Sequence, residues 1–304
     1  MATTQKEKSM TLRKILLVTT ALVLSLSAQA ANNKVIYGED DRLDVFETTD
    51  SLHYELSKST AAMISGSSIN MDGTMAVVTG STLEQRGICA TAKFADQITA
   101  ANCSGFLVGE DLLVTAGHCI RSMGDCRSYK WVFDFAVKSA TVDKARVEVE
   151  KTAVYGCSEI IEQSLDRSSQ DDFALIRLDR KVTDRKVLTV RTEGKVADRT
   201  ELVVIGHPTG LPTKVADGAI VRDNTNAVFF QSNLDTFGGN SGSAVFDAKT
   251  GQVEGILVRG ETDYVYDYNQ GCRVPKECTN EGCRGEDVTR ITNIKKLMDI
   301  LANQ

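Results

Sequence analysis

Short apolar runs separated by Gly, Asp and Asn dominate the chain from about residue 77 onward. Runs of this length with turn residues between them, and few stretches of helical periodicity, predict an all-β protein. The clearest runs are Gly105 to Val108, Leu112 to Thr115, Trp131 to Val137, Ala174 to Leu178, Leu202 to Ile205, Ala227 to Phe230, Ser243 to Phe246 and Val253 to Val258. Because strands and helices do not alternate, a sandwich or barrel is favoured over a parallel α/β fold.

Two further segments stand out from this pattern. At the C-terminal end, between residues 292 and 302, Ile294, Leu297, Met298 and Leu301 recur at three- and four-residue spacing, which predicts a helix with one apolar face. Before the strands, residues 31–75 are polar and irregular, and we expect an extended N-terminal arm or pro-segment there.

The first thirty residues have the pattern of an export signal. A basic start is followed by an apolar run from Ile15 to Leu26 and by small residues ending at Ala30, after which cleavage is expected. Twelve residues are too few to span a bilayer of roughly 30 Å, and no later segment reaches the ~18 uninterrupted apolar residues that spanning requires. A buried first helix is the alternative. We expect a secreted or periplasmic protein with no membrane attachment once the signal is removed.

Size and charge narrow the function classes. The chain has 304 residues, 42% of them hydrophobic, so one large or two small packed domains are possible. The formal charge is −6, and removal of the basic signal would leave about −9. Such an acidic body argues against nucleic acid as a partner.

Eight cysteines, all after the signal, indicate an oxidising compartment and four disulfides. A bond from Cys103 to Cys119 would tie the segment that contains His118 to the strand before it. We also expect Cys126 to pair with Cys157, while the pairing of the other four is left open. A zinc site at Cys272, Cys278 and Cys283 is disfavoured because their spacings of six and five lack the usual CxxC unit, and no metal is expected.

A glycine-rich turn at residues 237–243 carries the first candidate for chemistry. Ser241 lies between glycines, so its hydroxyl is exposed, and the amides of Gly239 and Ser241 are free to stabilise an oxyanion. Taken alone, such a turn is more often an ordinary hairpin loop.

A base and an acid for this serine are found upstream. Of the three histidines, His53 lies in the polar arm and is expected at the surface, and His207 is expected to satisfy a turn hydrogen bond. His118, at the end of a strand-like run, remains as the base. Asp172 directly precedes another apolar strand; an Asp there is usually a turn former, but beside a histidine it would orient the imidazole.

The segments Thr-Ala-Gly-His-Cys, Asp-Phe-Ala-Leu and Gly-Asn-Ser-Gly-Ser occur in the order His118, Asp172, Ser241. This order resembles the chymotrypsin-type serine proteases, and residues 35–42 and 238–243 resemble their bacterial V8-type glutamyl endopeptidase branch. The resemblance implies two six-stranded antiparallel β-barrels, over residues 76–180 and 181–304, with the terminal helix in the second. It also implies cleavage of protein or peptide substrates through an acyl-enzyme without a cofactor. We expect a monomer.

Activation should differ from that of the pancreatic members of the resembled family. In those proteins an acid just before the serine pairs with the new N-terminal amine, but this chain has Asn240 there. Since Val35 resembles a mature V8-type N-terminus, residues 31–34 are interpreted as a short pro-segment.

The residues expected to line the specificity pocket give conflicting indications of which substrate side chain it selects. Asp235, six residues before Ser241, matches the position where trypsin has the acid that selects Lys or Arg. Thr236 matches a V8-type pocket threonine, but Leu257 stands where those enzymes have a histidine. Arg259 either neutralises Asp235 or receives an acidic side chain, or else it forms a plain surface ion pair. We favour cleavage after Lys or Arg.

Two other functions fit the same residues. A secreted esterase would use the same chemistry, although the Gly-x-Ser-x-Gly elbow is absent because Ser243 stands at the last position. A catalytically silent binding module on the same fold would leave Ser241 unreactive.

Overall fold

The computed structural model describes residues 36–303, and in that range the chain is built mainly from strands. The three α-helices within residues 36–303 are α1 (Ser51–Ser57), α2 (Met123–Ser128) and α3 (Lys295–Ala302). The 23 strands of the described range are β1 (Ile36–Tyr37), β2 (Arg42–Asp44), β3 (Thr60–Ser65), β4 (Ile69–Asn70), β5 (Ala76–Thr79), β6 (Ser81–Thr82), β7 (Ile98–Thr99), β8 (Ala101–Gly109), β9 (Leu112–Thr115), β10 (Tyr129–Phe133), β11 (Arg146–Val149), β12 (Val154–Tyr155), β13 (Cys157–Leu165), β14 (Asp172–Leu178), β15 (Glu201–Gly206), β16 (Lys214–Asp223), β17 (Phe229–Ser232), β18 (Ala244–Asp247), β19 (Val253–Arg259), β20 (Tyr264–Asp267), β21 (Cys272–Pro275), β22 (Glu277–Cys278) and β23 (Glu286–Arg290).

Seven antiparallel strands form the first large sheet, in the order β12-β10-β3-β8-β9-β14-β13. Large side chains of this sheet are fully buried, with Trp131 and Leu113 on one face and Phe106 on the other. Burial of such aromatic and branched side chains supplies the main driving force for the sheet. Among the described residues no pairing joins β12 to β13, so hydrogen bonds leave this sheet open.

The second large sheet closes into a barrel. Its strands run β15-β18-β19-β23-β17-β16, and β16 returns to pair with β15, which completes a ring of six. Val204, Phe230, Leu257 and Val288 are among the side chains that fill it. The predicted all-β, chymotrypsin-like architecture is therefore confirmed, with the second sheet a closed six-stranded barrel and the first an open half-barrel of seven strands rather than six.

Part of the N-terminal arm belongs to the barrels, so the expected boundary near residue 76 is wrong. Strand β3 lies between β10 and β8 in the middle of the first sheet, and β2 pairs with β16 of the second. The sequence Thr-Ala-Ala-Met-Ile-Ser of β3 has alanines of weak strand propensity, which hid it from pattern reading. Burial at this central position outweighs propensity.

His53, expected at the surface, is only 4% exposed, which corrects that prediction. It lies on α1, whose N-cap Asp50 accepts hydrogen bonds from two first-turn amides. The His53 ring nitrogen Nε2 lies 3.1 Å from the carbonyl oxygen of Ala248. An amphipathic helix thus carries this histidine against the second barrel.

The C-terminal helix is present and begins at Lys295, three residues later than its predicted start. Ile294 and Leu297 are fully buried, and Met298 and Leu301 pack against the core as partly buried residues. The apolar face that the spacing predicts is therefore the packed face.

Four disulfides join all eight cysteines. The pairs are Cys89–Cys272, Cys103–Cys119, Cys126–Cys157 and Cys278–Cys283. No helix in residues 36–303 has the length and apolar character needed to cross a membrane. The predicted signal segment, its cleavage after Ala30 and the short pro-segment lie outside the described residues.

Candidate active site

His118 and Asp172 meet at one end of the first sheet. His118 follows β9 and Asp172 begins β14, and these two strands are paired. One carboxylate oxygen of Asp172 lies 2.8 Å from His118 Nδ1, and the other accepts the backbone N–H of His118 at 3.1 Å. Asp172 is only 3% exposed. The two contacts fix the ring so that Nε2 is free to accept a proton.

The neighbouring acid, Asp171, takes no part in this contact. Its carboxylate accepts a hydrogen bond from the Asn293 side chain at 2.9 Å. Burial raises the pKa of Asp171. The structure therefore brings Asp172, the acid chosen from the sequence, to the histidine.

Ser241 reaches the same region from the loop between β17 and β18. Its carbonyl oxygen accepts the backbone N–H of Ser104 on β8 at 2.8 Å. The sulfur of Cys119, next to His118 and bonded to Cys103, lies 3.7 Å from the same oxygen. Within residues 36–303 no hydrogen bond joins the Ser241 hydroxyl to the His118 ring, a bond that often tightens only when substrate binds.

The amides of Gly239 and Ser241 are available to a ligand, since neither donates a hydrogen bond within the described part of the chain. Gly239 has a φ of 94°, in the left-handed region. A Cβ at Gly239 would lie 2.6 Å from the carbonyl oxygen of His207, so no side chain fits. Two unpaired amides beside a nucleophile can stabilise an oxyanion.

Ser104 is a site residue that the sequence did not reveal. Its hydroxyl donates to the carbonyl of Gly239 at 2.9 Å and accepts the backbone N–H of His207 at 3.0 Å, and its side chain is fully buried. Together with its backbone bond to Ser241, Ser104 holds both sides of the nucleophile turn. A lone serine inside the buried β8 sequence is the signal that could have indicated it.

A cavity of about 140 Å³ opens beside Ser241. It is lined by Thr236, Phe237, Gly238, Ser241, Leu257, Val258, Arg259, Gly260, Glu261, Asp263 and Glu286. A larger cavity, of about 270 Å³, lies at residues 136–148 and contains none of the candidate catalytic residues. Proximity to the nucleophile makes the smaller cavity the candidate specificity pocket.

Three of the four predicted pocket residues, Thr236, Leu257 and Arg259, line this cavity, but Asp235 does not. The Asp235 carboxylate accepts the backbone N–H groups of Tyr37 and Asp41, at 2.7 and 3.0 Å. Burial raises the pKa of Asp235 to about 7. Its hydrogen bonds thus attach it to the N-terminal strands.

Arg259 lines the cavity, but its guanidinium is paired with carboxylates that do not line it. Its Nε lies 3.2 Å from a carboxylate oxygen of Asp287, and a terminal nitrogen lies 3.9 Å from Asp172. Arg259 therefore pairs with neither Asp235 nor the cavity-lining acids Asp263 and Glu286. The sequence analysis did not identify Asp263 or Glu286 as pocket residues. Glu286 begins the mostly polar stretch Glu-Asp-Val-Thr-Arg, unlike Asp172, which precedes an apolar run, so the sequence carried no signal that this side chain is buried.

One set of metal-ligating residue types lies close together in the described range: Cys103, His118 and Cys119, with ligand atoms within 4.8 Å of one another. The two sulfurs are bonded to each other. They are therefore not available as thiolate ligands, which metal binding requires.

Known proteins resemble the chain in two ways. The sequence profile of the family "Trypsin-like peptidase domain" matches residues 103–256. The solved structure of a Glu endopeptidase in complex with MPD superposes with a TM-score of 0.50 and 14% identity, over 88% of this chain and 100% of that one. The structure of the Vibrio cholerae VesB protease gives a TM-score of 0.49 and 14% identity, over 88% and 68% of the two chains. No curated protein sequence matches the chain.

Proposed function

Because the chain belongs to the family of trypsin-like peptidase domains and is a serine endopeptidase, we propose that Ser241, His118 and Asp172 form its catalytic triad. Support comes above all from the two contacts of Asp172 with His118, at 2.8 and 3.1 Å. They hold the His118 ring, and the sulfur of Cys119, the next residue, lies 3.7 Å from the carbonyl oxygen of Ser241.

In the proposed reaction the Ser241 hydroxyl attacks the peptide carbonyl while Nε2 of His118 takes its proton. The carbonyl oxygen becomes an oxyanion and accepts hydrogen bonds from the Gly239 and Ser241 amides. When the C–N bond breaks, His118 gives its proton to the leaving amine, and an acyl-enzyme remains on Ser241. Water, deprotonated by His118, then releases the acid and restores the hydroxyl. Asp172 stays ionised and stabilises the imidazolium.

Protein or peptide substrates cleaved after Lys or Arg fit this proposal better than substrates cleaved after Glu. Of the three acids that line the pocket, Glu261 is paired with Lys276, which leaves the carboxyl groups of Asp263 and Glu286. The one cation among the lining residues, Arg259, is paired with Asp287. The four disulfides support an exported location, since such bonds persist in oxidising compartments. We propose that the protein acts as a monomer outside the cytoplasm.

A fluorophosphonate probe tests the triad directly, because it reacts only with an activated serine. We expect the wild-type protein to be labelled at Ser241, with labelling abolished in Ser241→Ala and strongly reduced in His118→Ala. Ser59→Ala, at a buried serine bonded to the carbonyl of Lys186, is the matched control and should be labelled like wild type. A folded wild-type protein that takes no label would contradict the proposal and favour a silent binding module.

A further inference from the structure

We infer that Glu286, with Asp263 beside it, is the acid that selects a Lys or Arg side chain before the cleaved bond. This inference rests on the proposed function, because it assigns a role within the pocket of that same site. It also transfers the role that the sequence suggests for Asp235 to a residue 45 positions after Ser241 in the chain.

Glu286 is the first residue of β23, and its side chain lines the cavity beside Ser241. It is only 2% exposed. The Thr236 hydroxyl donates to one carboxyl oxygen at 2.6 Å, and the Glu261 amide lies 3.3 Å from the other. A Cβ at Gly260 would lie 1.8 Å from Glu286, so glycine at that position leaves the space the carboxyl occupies. The Glu286 side chain is therefore held in one position by these two hydrogen bonds and by the space that Gly260 leaves.

Asp263 adds a second carboxyl group to the same cavity. One of its oxygens accepts the backbone N–H of Gly238 at 2.9 Å, three residues before the nucleophile. It is half-buried, and burial raises its pKa. The two acids interact, since the charge of Asp263 raises the pKa of Glu286.

Neither acid has a cation within ion-pair distance in residues 36–303, whereas the acids around them do. Glu261 pairs with Lys276 at 3.0 Å. Asp287 contacts both Arg259 and Arg284. A buried carboxylate without a cation is costly in free energy. When Glu286 is ionised, the cavity therefore lacks one positive charge, which a bound lysine or arginine side chain supplies.

The protonation of Glu286 gives this recognition a pH dependence. Burial raises its pKa to about 8, so at neutral pH the empty pocket holds it mainly as the neutral acid. Its charged and titratable surroundings are Glu261 and Asp263 from the loop after β19, Arg259 at the end of β19, Arg284 just before β23, and Tyr37 of β1. A cationic substrate side chain favours the carboxylate, and the displaced proton goes to solvent.

The test compares peptides that differ only in the residue before the cut, with Arg, Lys, citrulline, Ala or Glu. Citrulline matches arginine in shape but carries no charge. In the wild-type enzyme we expect kcat/KM for Arg to exceed that for citrulline, and the ratio to rise as pH increases from 6 to about 8. Because a pH effect on the catalytic step acts on both substrates alike, it cancels in the ratio.

Glu286→Gln should lower the Arg-to-citrulline ratio by about 30-fold or more and remove its pH dependence. Glu286→Asp keeps the charge and should retain a preference for Arg. Asp263→Asn should lower the ratio by a smaller factor. Glu281→Gln removes an exposed acid five residues earlier and serves as the control, with no change expected.

Four outcomes would overturn the inference. In the wild type they are preference for Glu over Arg and absence of any preference for Arg over citrulline. In the variants they are an unchanged ratio in Glu286→Gln and loss of the preference in Asp235→Asn with Glu286 intact. Fluorophosphonate labelling of each variant separates misfolding from altered specificity. If the wild-type protein takes no label, the proposed function fails. If labelling is normal but charge preference is absent, only the assignment of Glu286 fails.

Discussion

The carboxylate of Asp235 accepts the backbone N–H of Tyr37 at 2.7 Å, and both residues are 3% exposed. Strand β1, which contains Tyr37, also pairs with β22. The Tyr37 hydroxyl in turn accepts the amide of Gly285, the residue before Glu286. The N-terminal strand thus forms part of the support beneath the pocket, and Asp235 is its anchor.

Asp235→Asn should loosen this anchor, because the amide NH₂ group cannot accept from a backbone N–H. We expect a stability loss of about 1–3 kcal/mol and faster hydrogen exchange at Tyr37 and Asp41. The KM should rise while the preference for Arg over citrulline persists. Unchanged exchange at both amides would show that Asp235 does not hold the N-terminal strand.

Ser104→Ala should impair catalysis more than binding. The substitution leaves the Gly239 carbonyl and the His207 amide without their buried partner, so the nucleophile turn loses its fixed position. We expect kcat to fall by about 10-fold or more with little change in KM. Ser59→Ala, which also removes a buried hydroxyl that bonds a carbonyl, should lower stability and leave kcat unaffected. Equal kcat values in the two variants would argue against a positioning role for Ser104.

Gly239→Ala tests whether the left-handed backbone at this residue serves the oxyanion. The new methyl group would press on the carbonyl of His207 and displace the Gly239 amide. A loss of one oxyanion donor costs about 10²–10³ in kcat. Gly194→Ala is the control, because Gly194 also has a positive φ, 70°, but no atom within 4 Å of a Cβ. It should cost about 1 kcal/mol of stability with kcat retained.

The raised pKa of Glu286, about 8, also predicts how stability varies with pH. Below the ordinary pKa of a glutamate both folded and unfolded chains hold this proton, and its stabilising effect is fully present. As pH rises toward 8 the unfolded chain has lost the proton and the folded chain keeps it, so stability falls. Urea denaturation of wild type and Glu286→Gln between pH 5 and 8 measures this. The variant should show the shallower decline, by up to about 1.4 kcal/mol per pH unit.

Much of the fold could be predicted from the sequence because alternation and turn residues are local signals. The apolar run from Leu112 to Thr115 has the same ends as strand β9, and the runs predicted for β14, β15 and β19 end within two residues of the observed strand ends. Strand β3 was missed because its alanines carry little propensity, and its place between β10 and β8 depends on contacts with distant parts of the chain.

The sequence by itself determined the order of His118, Asp172 and Ser241 and the types of side chain that such chemistry needs. Only the tertiary structure decided what those residues contact. Asp235 has the sequence position of a pocket acid, yet its hydrogen bonds hold Tyr37 and Asp41. Glu286 lines the cavity because β23 pairs with β19 and turns its first side chain inward. Register between strands far apart in the chain, rather than spacing from the nucleophile, sets which carboxyl group lines the cavity.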